Sequence, residues 1–318
     1  MSYHPARPTT TASAPGKIIL FGEHAVVYGR PALAVPVTQV HADVEVTDSP
    51  RAGIWIHAPD IALHAELASL PPDHAVGAAI RSVFSALGVS PFPPFEIRIT
   101  SSIPVASGLG SGAAVSVALI RALSSFFSQS VSLPDEQINH LTYEIEKLHH
   151  GTPSGIDNTV VTYARPVYFV RGQPIETFKV GAPFTIVIAD TGISAPTKES
   201  VGDVRKLWEA DKVKWEKVFD EIGGIAQNAK ERIENGEWRS LGTLMDANHF
   251  LLQQLTVSSP ELDRLVEAAR TSRAGGAKLS GGGRGGNLIA LVEKDNAARV
   301  AESLLSAGAK RTIITEIA

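Results

Sequence analysis

Ile103-Pro104-Val105-Ala106-Ser107-Gly108-Leu109-Gly110-Ser111-Gly112-Ala113-Ala114 is the stretch around which the chain is organised. Before it, Phe95-Glu96-Ile97-Arg98-Ile99-Thr100 alternates apolar and polar residues, the period of a strand. After it, Ala113 to Phe127 is nearly all apolar or small, which predicts a buried helix. Three glycines therefore sit where a strand turns into a helix. Glycine tolerates positive φ and lets a ligand approach the backbone, and the first helical turn offers unpaired N–H donors at the positive end of the dipole. That combination suits an anion, and the expected anion is a nucleotide phosphate.

Two familiar phosphate patterns do not account for the loop. A Walker sequence ends in Gly-Lys-Ser/Thr, and Gly110-Ser111-Gly112 has no lysine. A dinucleotide fingerprint needs a third glycine or alanine and an acid at the end of a second strand. Ala113 meets the first condition, and nothing meets the second. Plain turn chemistry remains the competing reading of these glycines, so the rest of the chain has to decide.

The 318 residues suffice for two domains of ordinary size. A net charge of -4 gives no overall attraction to nucleic acid or acidic membranes, so an anionic ligand needs a local site. The absence of cysteine excludes disulfides, thiolate nucleophiles and zinc-thiolate sites, and fits a reducing, cytoplasmic setting. No apolar run is expected to reach the roughly 18 residues of a membrane span. Residues 1–13, with Met1 to Thr11 lacking a hydrophobic core, are expected to be a flexible leader and not a secretory signal.

Ala14-Pro15-Gly16 breaks the chain before a short strand, Lys17 to Phe21, and Gly22-Glu23-His24-Ala25-Val26-Val27-Tyr28-Gly29 forms a second glycine-bounded turn. Lys17, Glu23 and His24 here read most simply as surface charge around a hairpin. Strands are expected at 32–37, 41–47 and 53–57, and a helix from Asp73 to Leu87, giving a mixed first third with antiparallel pairing. Ser132-Leu133-Pro134-Asp135 opens a helix that ends at Gly151. Gly151-Thr152-Pro153-Ser154-Gly155-Ile156-Asp157-Asn158 then leads into a strand, Thr159 to Tyr163. Asp157 is either a turn residue or a carboxylate held at a fixed point.

From Gly181 the elements run strand 184–190, helices over 197–233, 238–255 and 260–271, strand 277–279, strand 287–292, helix 295–306 and strand 312–317. That order is a split βαβ sandwich with extra helices in its first crossover. Ser280-Gly281-Gly282-Gly283-Arg284-Gly285-Gly286 carries five glycines in seven positions, more than a hairpin needs. Either its backbone lies against something and Arg284 reaches a phosphate, or the loop is simply flexible.

Three segments taken together, Pro15-Gly16-Lys17 through Gly22-Glu23-His24, Gly108-Leu109-Gly110-Ser111, and Lys278 through Gly283, resemble the three motifs of the GHMP family of small-molecule kinases. Within it, Lys17 to Gly29 and the run from Glu146 to Ser154-Gly155-Ile156-Asp157-Asn158 are similar to the members that phosphorylate the primary hydroxyl of mevalonate. The resemblance spans about Ala14 to Val292. It implies an α+β, two-domain architecture: residues 14–180 an ATP-binding domain like domain 2 of ribosomal protein S5, residues 181–318 a ferredoxin-like sandwich.

The resemblance also implies roles. Asp157 would take the proton of the attacking hydroxyl, and Lys17 would stand beside it and help neutralise the transferring phosphoryl group. Glu23, His24 and Thr197 would line the hydroxy-acid pocket. The backbone of Gly108, Leu109, Gly110, Ser111, Gly112 and Ala113 would hold the triphosphate of ATP, and Ser111 with Glu146 would hold Mg²⁺. It implies a cytoplasmic homodimer acting on a small molecule in isoprenoid precursor synthesis, with no nucleic-acid or membrane partner.

Sister activities on phosphomevalonate, homoserine or galactose, a mevalonate 3-kinase or diphosphate decarboxylase, and a binding module on an S5-like fold are the alternatives. Galactokinases usually place arginine-asparagine where this chain has Lys17-Ile18-Ile19-Leu20. Many family members carry a second serine at Gly112, and a small residue at Arg284.

Periodicity alone does not choose Glu146. At about 100° per residue, Ile138, Leu141, Ile145 and Leu148 average near ~320° from Ile138, with Glu144 at about 240° and Glu146 at about 80°. The pattern places Glu144 closer to the buried face, and the resemblance alone selects Glu146.

Overall fold

The computed structural model describes residues 7–88, 90, 93–104, 107–128, 133–150, 153–174, 176–194 and 197–318. The strands are β1 (Thr10–Phe21), β2 (Ala32–Asp48), β3 (Ile54–Ala58), β4 (Leu63–Glu66), β5 (Phe95–Ser101), β6 (Val167–Phe169), β7 (Glu176–Thr177), β8 (Phe184–Asp190), β9 (Gly276–Ser280), β10 (Asn287–Val292) and β11 (Arg311–Ile317). The helices are α1 (Ala75–Leu87), α2 (Ser111–Ser128), α3 (Asp135–His150), α4 (Ile156–Tyr163), α5 (Thr197–Ala210), α6 (Lys212–Glu234), α7 (Leu241–Gln254), α8 (Pro260–Thr271) and α9 (Ala297–Ser306). Two compact units form, one from residues 1–16, 40–104 and 110–164, the other from 17–39, 105–109 and 165–318.

In the first unit the strands run β4-β3-β5-β2. β2 and β5 are antiparallel, with Val44 opposite Ile99, whereas β3 and β5 are parallel, with Ile54 opposite Phe95. The antiparallel expectation thus meets one parallel pair, for which α1 lies in the crossover. In β5, Phe95, Ile97 and Ile99 are buried while Glu96 and Arg98 are exposed, as the alternation requires. Phe95 packs against Phe84, Phe126 and Phe127, joining strand to helices α1 and α2.

Helix α2 corrects one expectation, because its 18 residues have the length and apolarity of a spanning segment. Eleven of them are buried, so the apolar surface is spent on the core of the unit.

β1 overturns the leader boundary and the break at Pro15-Gly16. Strand structure begins at Thr10, whose Oγ1 donates to the Ala122 carbonyl at 3.0 Å. The strand runs through Pro15, which is tolerated where a strand needs no ladder donor at that position.

A second correction concerns residues 159–163, which form part of α4 instead of a strand. Gly155 at φ 94° turns the chain, the Ile156 N–H donates to Ser154 Oγ (3.3 Å), and Thr159 Oγ1 donates to the Gly155 carbonyl (2.6 Å). Val160 and Val161 are fully buried. Their β-branched side chains cost a few tenths of a kcal/mol each as helix formers, roughly, and core burial outweighs that. The helix cap at Ser132 and the stop at Gly151 lie outside the described residues.

In the second unit the first part of β2 pairs with β6, and β6 with β7. The C-terminal strands form an antiparallel sheet in the order β11-β8-β10-β9. With α9 between β10 and β11, and α5 to α8 between β8 and β9, this is the expected split βαβ sandwich. β8 and β10 are buried along their whole length, which is why they read as unbroken apolar runs.

Candidate active site

The glycine loop is held from two directions inside the second unit. The Lys17 N–H donates to the Leu109 carbonyl at 2.9 Å, and Asn287 Nδ2 donates to the Ser107 carbonyl. Leu109 is buried and anchors the loop, while Gly108 is exposed and takes φ 78°. The chain then enters α2 at Ser111, where the Ala114 N–H donates to the Gly110 carbonyl at 2.9 Å. Ala113 is buried against the core, and Gly112 remains exposed. In the first unit, the first turn of α2 has backbone N–H groups without helical partners next to the exposed Gly112, a chemistry that suits an anion.

In the first unit, Glu146 on α3 is buried and Glu144 is exposed, contrary to the periodic reading. The error lies in Leu148, which is 56% exposed, and in Thr142, which is fully buried. Replacing the first by the second turns the inward direction of α3 toward Glu146. Its Oε1 lies 3.3 Å from where a Cβ on Gly112 would stand. A buried carboxylate beside the residue that follows Ser111 fits a hard cation, which favours one carboxylate and one hydroxyl oxygen over nitrogen or sulfur donors.

Asp157 lies in the first turn of α4, a favourable place for a carboxylate. Its neighbour Asn158 donates from Nδ2 to Asn139 Oδ1 on α3 at 2.6 Å, which fixes the start of α4 against the helix that carries Glu146. Asp157 belongs to the first unit and Lys17 to the second.

The remaining expected residues gather in the second unit, and they are not the surface charges of a hairpin. Lys17, Glu23 and His24 are all buried. Glu23 forms an ion pair with Lys278, and both side chains are completely inaccessible to solvent. Burial pushes the Glu23 carboxyl above its ordinary range, opposed by Lys278 and, more weakly, by Lys17. Burial likewise pushes Lys278 down, opposed by Glu23. Lys278 Nζ also donates to the Leu279 carbonyl at 2.7 Å. Removing one member of such a pair costs about 3–5 kcal/mol because the other is left charged and dry.

His24 holds φ 61°, a left-handed conformation that costs of order 1 kcal/mol or more and persists where the surroundings impose it. Burial lowers its pKa to about 4, so it is neutral at pH 7. Its Nε2 lies 3.1 Å from the Gly282 carbonyl, an acceptor only, so Nε2 carries the proton and Nδ1 is bare. On the far side of the same glycine, Thr197 Oγ1 lies 3.0 Å from where a Cβ would be. Gly282 thus brings His24 and Thr197 to one place, and Ser280 Oγ ties that loop to the Ile19 carbonyl of β1 at 2.8 Å.

Arg284 is held by other protein groups. Its guanidinium pairs with Asp203 at 2.6 Å, and its N–H donates to the Val257 carbonyl at 2.7 Å.

Residues 74–165 match the model of the GHMP kinase N-terminal domain, and residues 229–310 match that of the GHMP kinase C-terminal domain. The chain is 38% identical to the mevalonate kinase of Pyrococcus abyssi over 306 residues, covering 88% of each protein. It is 35% identical to that of Thermococcus sibiricus over 331 residues, covering 96% of this chain and 95% of that one. The chain belongs to the mevalonate kinase group of the GHMP kinase family.

The crystal structure of L. major mevalonate kinase in complex with R-mevalonate matches this kinase at 30% identity with a TM-score of 0.86, over 100% of this chain and 98% of that one. A Methanococcus jannaschii mevalonate kinase matches with a TM-score of 0.82 at 28% identity, over 97% and 98%. The architecture is therefore the two-domain GHMP fold, S5-like followed by ferredoxin-like.

Lys278 and Asn287 had no assigned role in the sequence reading. A lysine between Ala277 and Leu279 reads as the wet side of a strand, but β9 is buried at every position, and its acid partner is 255 residues distant. The usable signal was a cation in a strand ending at a glycine motif, in a chain whose other glycine turn supplies an acid.

Proposed function

We propose that this kinase transfers the γ-phosphoryl group of ATP to the primary hydroxyl of mevalonate, giving 5-phosphomevalonate. Supporting it above all is near full-length similarity to mevalonate kinases, including one solved with R-mevalonate. The built site adds chemical sense.

The first turn of α2 and the glycine loop bind the triphosphate through backbone N–H groups. Ser111 and Glu146 hold Mg²⁺ by oxygen, and the ion supplies positive charge to the phosphate oxygens. Asp157 accepts the proton of the primary hydroxyl as its oxygen attacks phosphorus. Lys17 places an ammonium at the transferring group, where the charge spreads over the equatorial oxygens. Glu23, His24 and Thr197 orient the hydroxy acid. The reaction is divided between an N-terminal domain that ends at residue 180 and a C-terminal domain of residues 181–318, and the enzyme works as a cytoplasmic homodimer.

ADP release measured with mevalonate, phosphomevalonate, homoserine and galactose tests the assignment. Turnover is expected with mevalonate in preference to the other three. Preference for another alcohol would replace the substrate, and no turnover with any would remove the kinase reading.

A further inference from the structure

Two buried polar atoms of the Gly22-Glu23-His24 turn have no hydrogen-bond partner among the described residues: Glu23 Oε2 and His24 Nδ1. Buried polar atoms are nearly always hydrogen-bonded, and one that is not needs an explanation, of which a bound water, ion or ligand is one. The two residues are adjacent in sequence, 1% and 5% exposed, and Gly282 brings Thr197 to the same place.

The chemistry of both atoms is the same. His24 gives its single proton to the Gly282 carbonyl, so Nδ1 offers only a lone pair. Glu23 spends Oε1 on Lys278, so Oε2 also offers lone pairs. Two buried acceptors on consecutive residues call for donors. A ligand carboxylate would meet like charge at Oε2 and a lone pair at Nδ1, whereas a hydroxyl can donate its one proton to Oε2. Mevalonate has two hydroxyls and one carboxylate, and its primary hydroxyl is the one that receives phosphate.

We propose that Lys278 is the positioning residue of the substrate pocket, fixing Glu23 by Oε1 so that Oε2 accepts from the tertiary hydroxyl of the substrate and turns its carboxylate away. Lys278 is placed for this task. It is fully buried in β9 and bonded at once to Glu23 and to its neighbour's carbonyl. The strand itself is held by His249, whose Nδ1 accepts the Leu279 N–H at 3.3 Å while its Nε2 meets Asp263 at 3.1 Å. Glu23 therefore has one orientation available, and the selectivity of the pocket is set from a residue that does not touch the substrate.

The inference rests on the mevalonate reading, and one set of assays separates the two. Wild-type enzyme is given mevalonate and its 3-deoxy analogue, 5-hydroxy-3-methylpentanoate. The paired variant Lys278→Met with Glu23→Gln keeps the site filled and neutral, and Glu23→Gln alone keeps Lys278. Thermal melting and ATP titration accompany each. In wild type, loss of the tertiary hydroxyl should lower kcat/KM by about 10⁴-fold, the range for sites built to bond a hydroxyl. In the paired variant, melting and the KM for ATP should stay near wild type, the KM for mevalonate should rise at least about ten-fold, and the penalty for the 3-deoxy analogue should shrink to a few-fold.

If wild type fails to use mevalonate, the kinase reading itself falls. If wild type uses mevalonate but the paired variant retains its KM, Lys278 is only structural and the inference falls alone. An unchanged 3-deoxy penalty in Glu23→Gln overturns the hydroxyl assignment, whatever the folding of the paired variant.

Discussion

A Cβ added to Gly108, in the loop before α2, would meet Asn287 Nδ2 at an ordinary 3.4 Å, whereas one added to Gly283, in the loop before β10, would lie 1.9 Å from the Val257 carbonyl. The two glycine-rich loops look alike in composition and use it in opposite ways. The first keeps its backbone accessible at the head of a helix, and the second presses its backbone against other backbone. Gly285 repeats the second pattern, since its Cβ would stand 2.5 Å from the Ile193 carbonyl. Glycine richness therefore has no single meaning. What distinguishes a ligand cradle from a packing joint is what a side chain would strike.

The largest effect expected from this contrast is on stability. Gly283→Ala forces a Cβ into the Val257 carbonyl at φ 74°, and should destabilise by about 3 kcal/mol through strain and overlap together. Chemical denaturation reads this directly, and a midpoint unchanged from wild type would mean that the second loop is not a packing joint. Next comes the proposed metal corner of Ser111 and Glu146 at the start of α2. Glu146→Gln should leave melting nearly intact while raising the Mg²⁺ requirement about ten-fold or more, since even indirect partners of a metal are typically worth that much. An unmoved magnesium titration would take Glu146 out of the metal shell. The smallest effect belongs to Arg284, which is committed to Asp203. Arg284→Ala should change the KM for ATP by less than about two-fold, as a half-exposed ion pair distant from phosphate would. A loss of ten-fold or more would return Arg284 to the phosphate site and blur the distinction between the loops.

Much of this was legible in the sequence where local rules and tertiary structure agree. The ferredoxin-like half could be ordered strand by strand because β8 and β10 are short apolar runs, and because Ser259 and Pro260 mark the start of α8 by capping and by a fixed φ. The elements on either side of the first glycine loop were visible because a strand period gives way to a helix period across three glycines.

What failed was set by distant partners. Thr159 to Tyr163 carries strand-forming residues, yet α4 buries Val160 and Val161 and fixes Asn158 on Asn139. Leu148 points outward despite its apolar side chain, and that one residue displaced the inferred inner face of α3 from Glu146 to Glu144. Lys17, Glu23 and His24 looked like surface charge because their spacing says nothing about Lys278, whose pairing with Glu23 makes the turn a buried polar site. β4, β6 and β7 were missed because each has only two to four residues, too few for alternation to show.

Asp157→Asn tests the central claim most directly, because it removes the proposed base while keeping the size and helix position of the side chain. Rapid-quench turnover with saturating ATP and mevalonate should fall by about 10²–10⁴-fold, with ATP binding and melting close to wild type, as loss of general-base catalysis requires. Turnover within a few-fold of wild type would contradict the account, since Asp157 would then play no part in moving the proton.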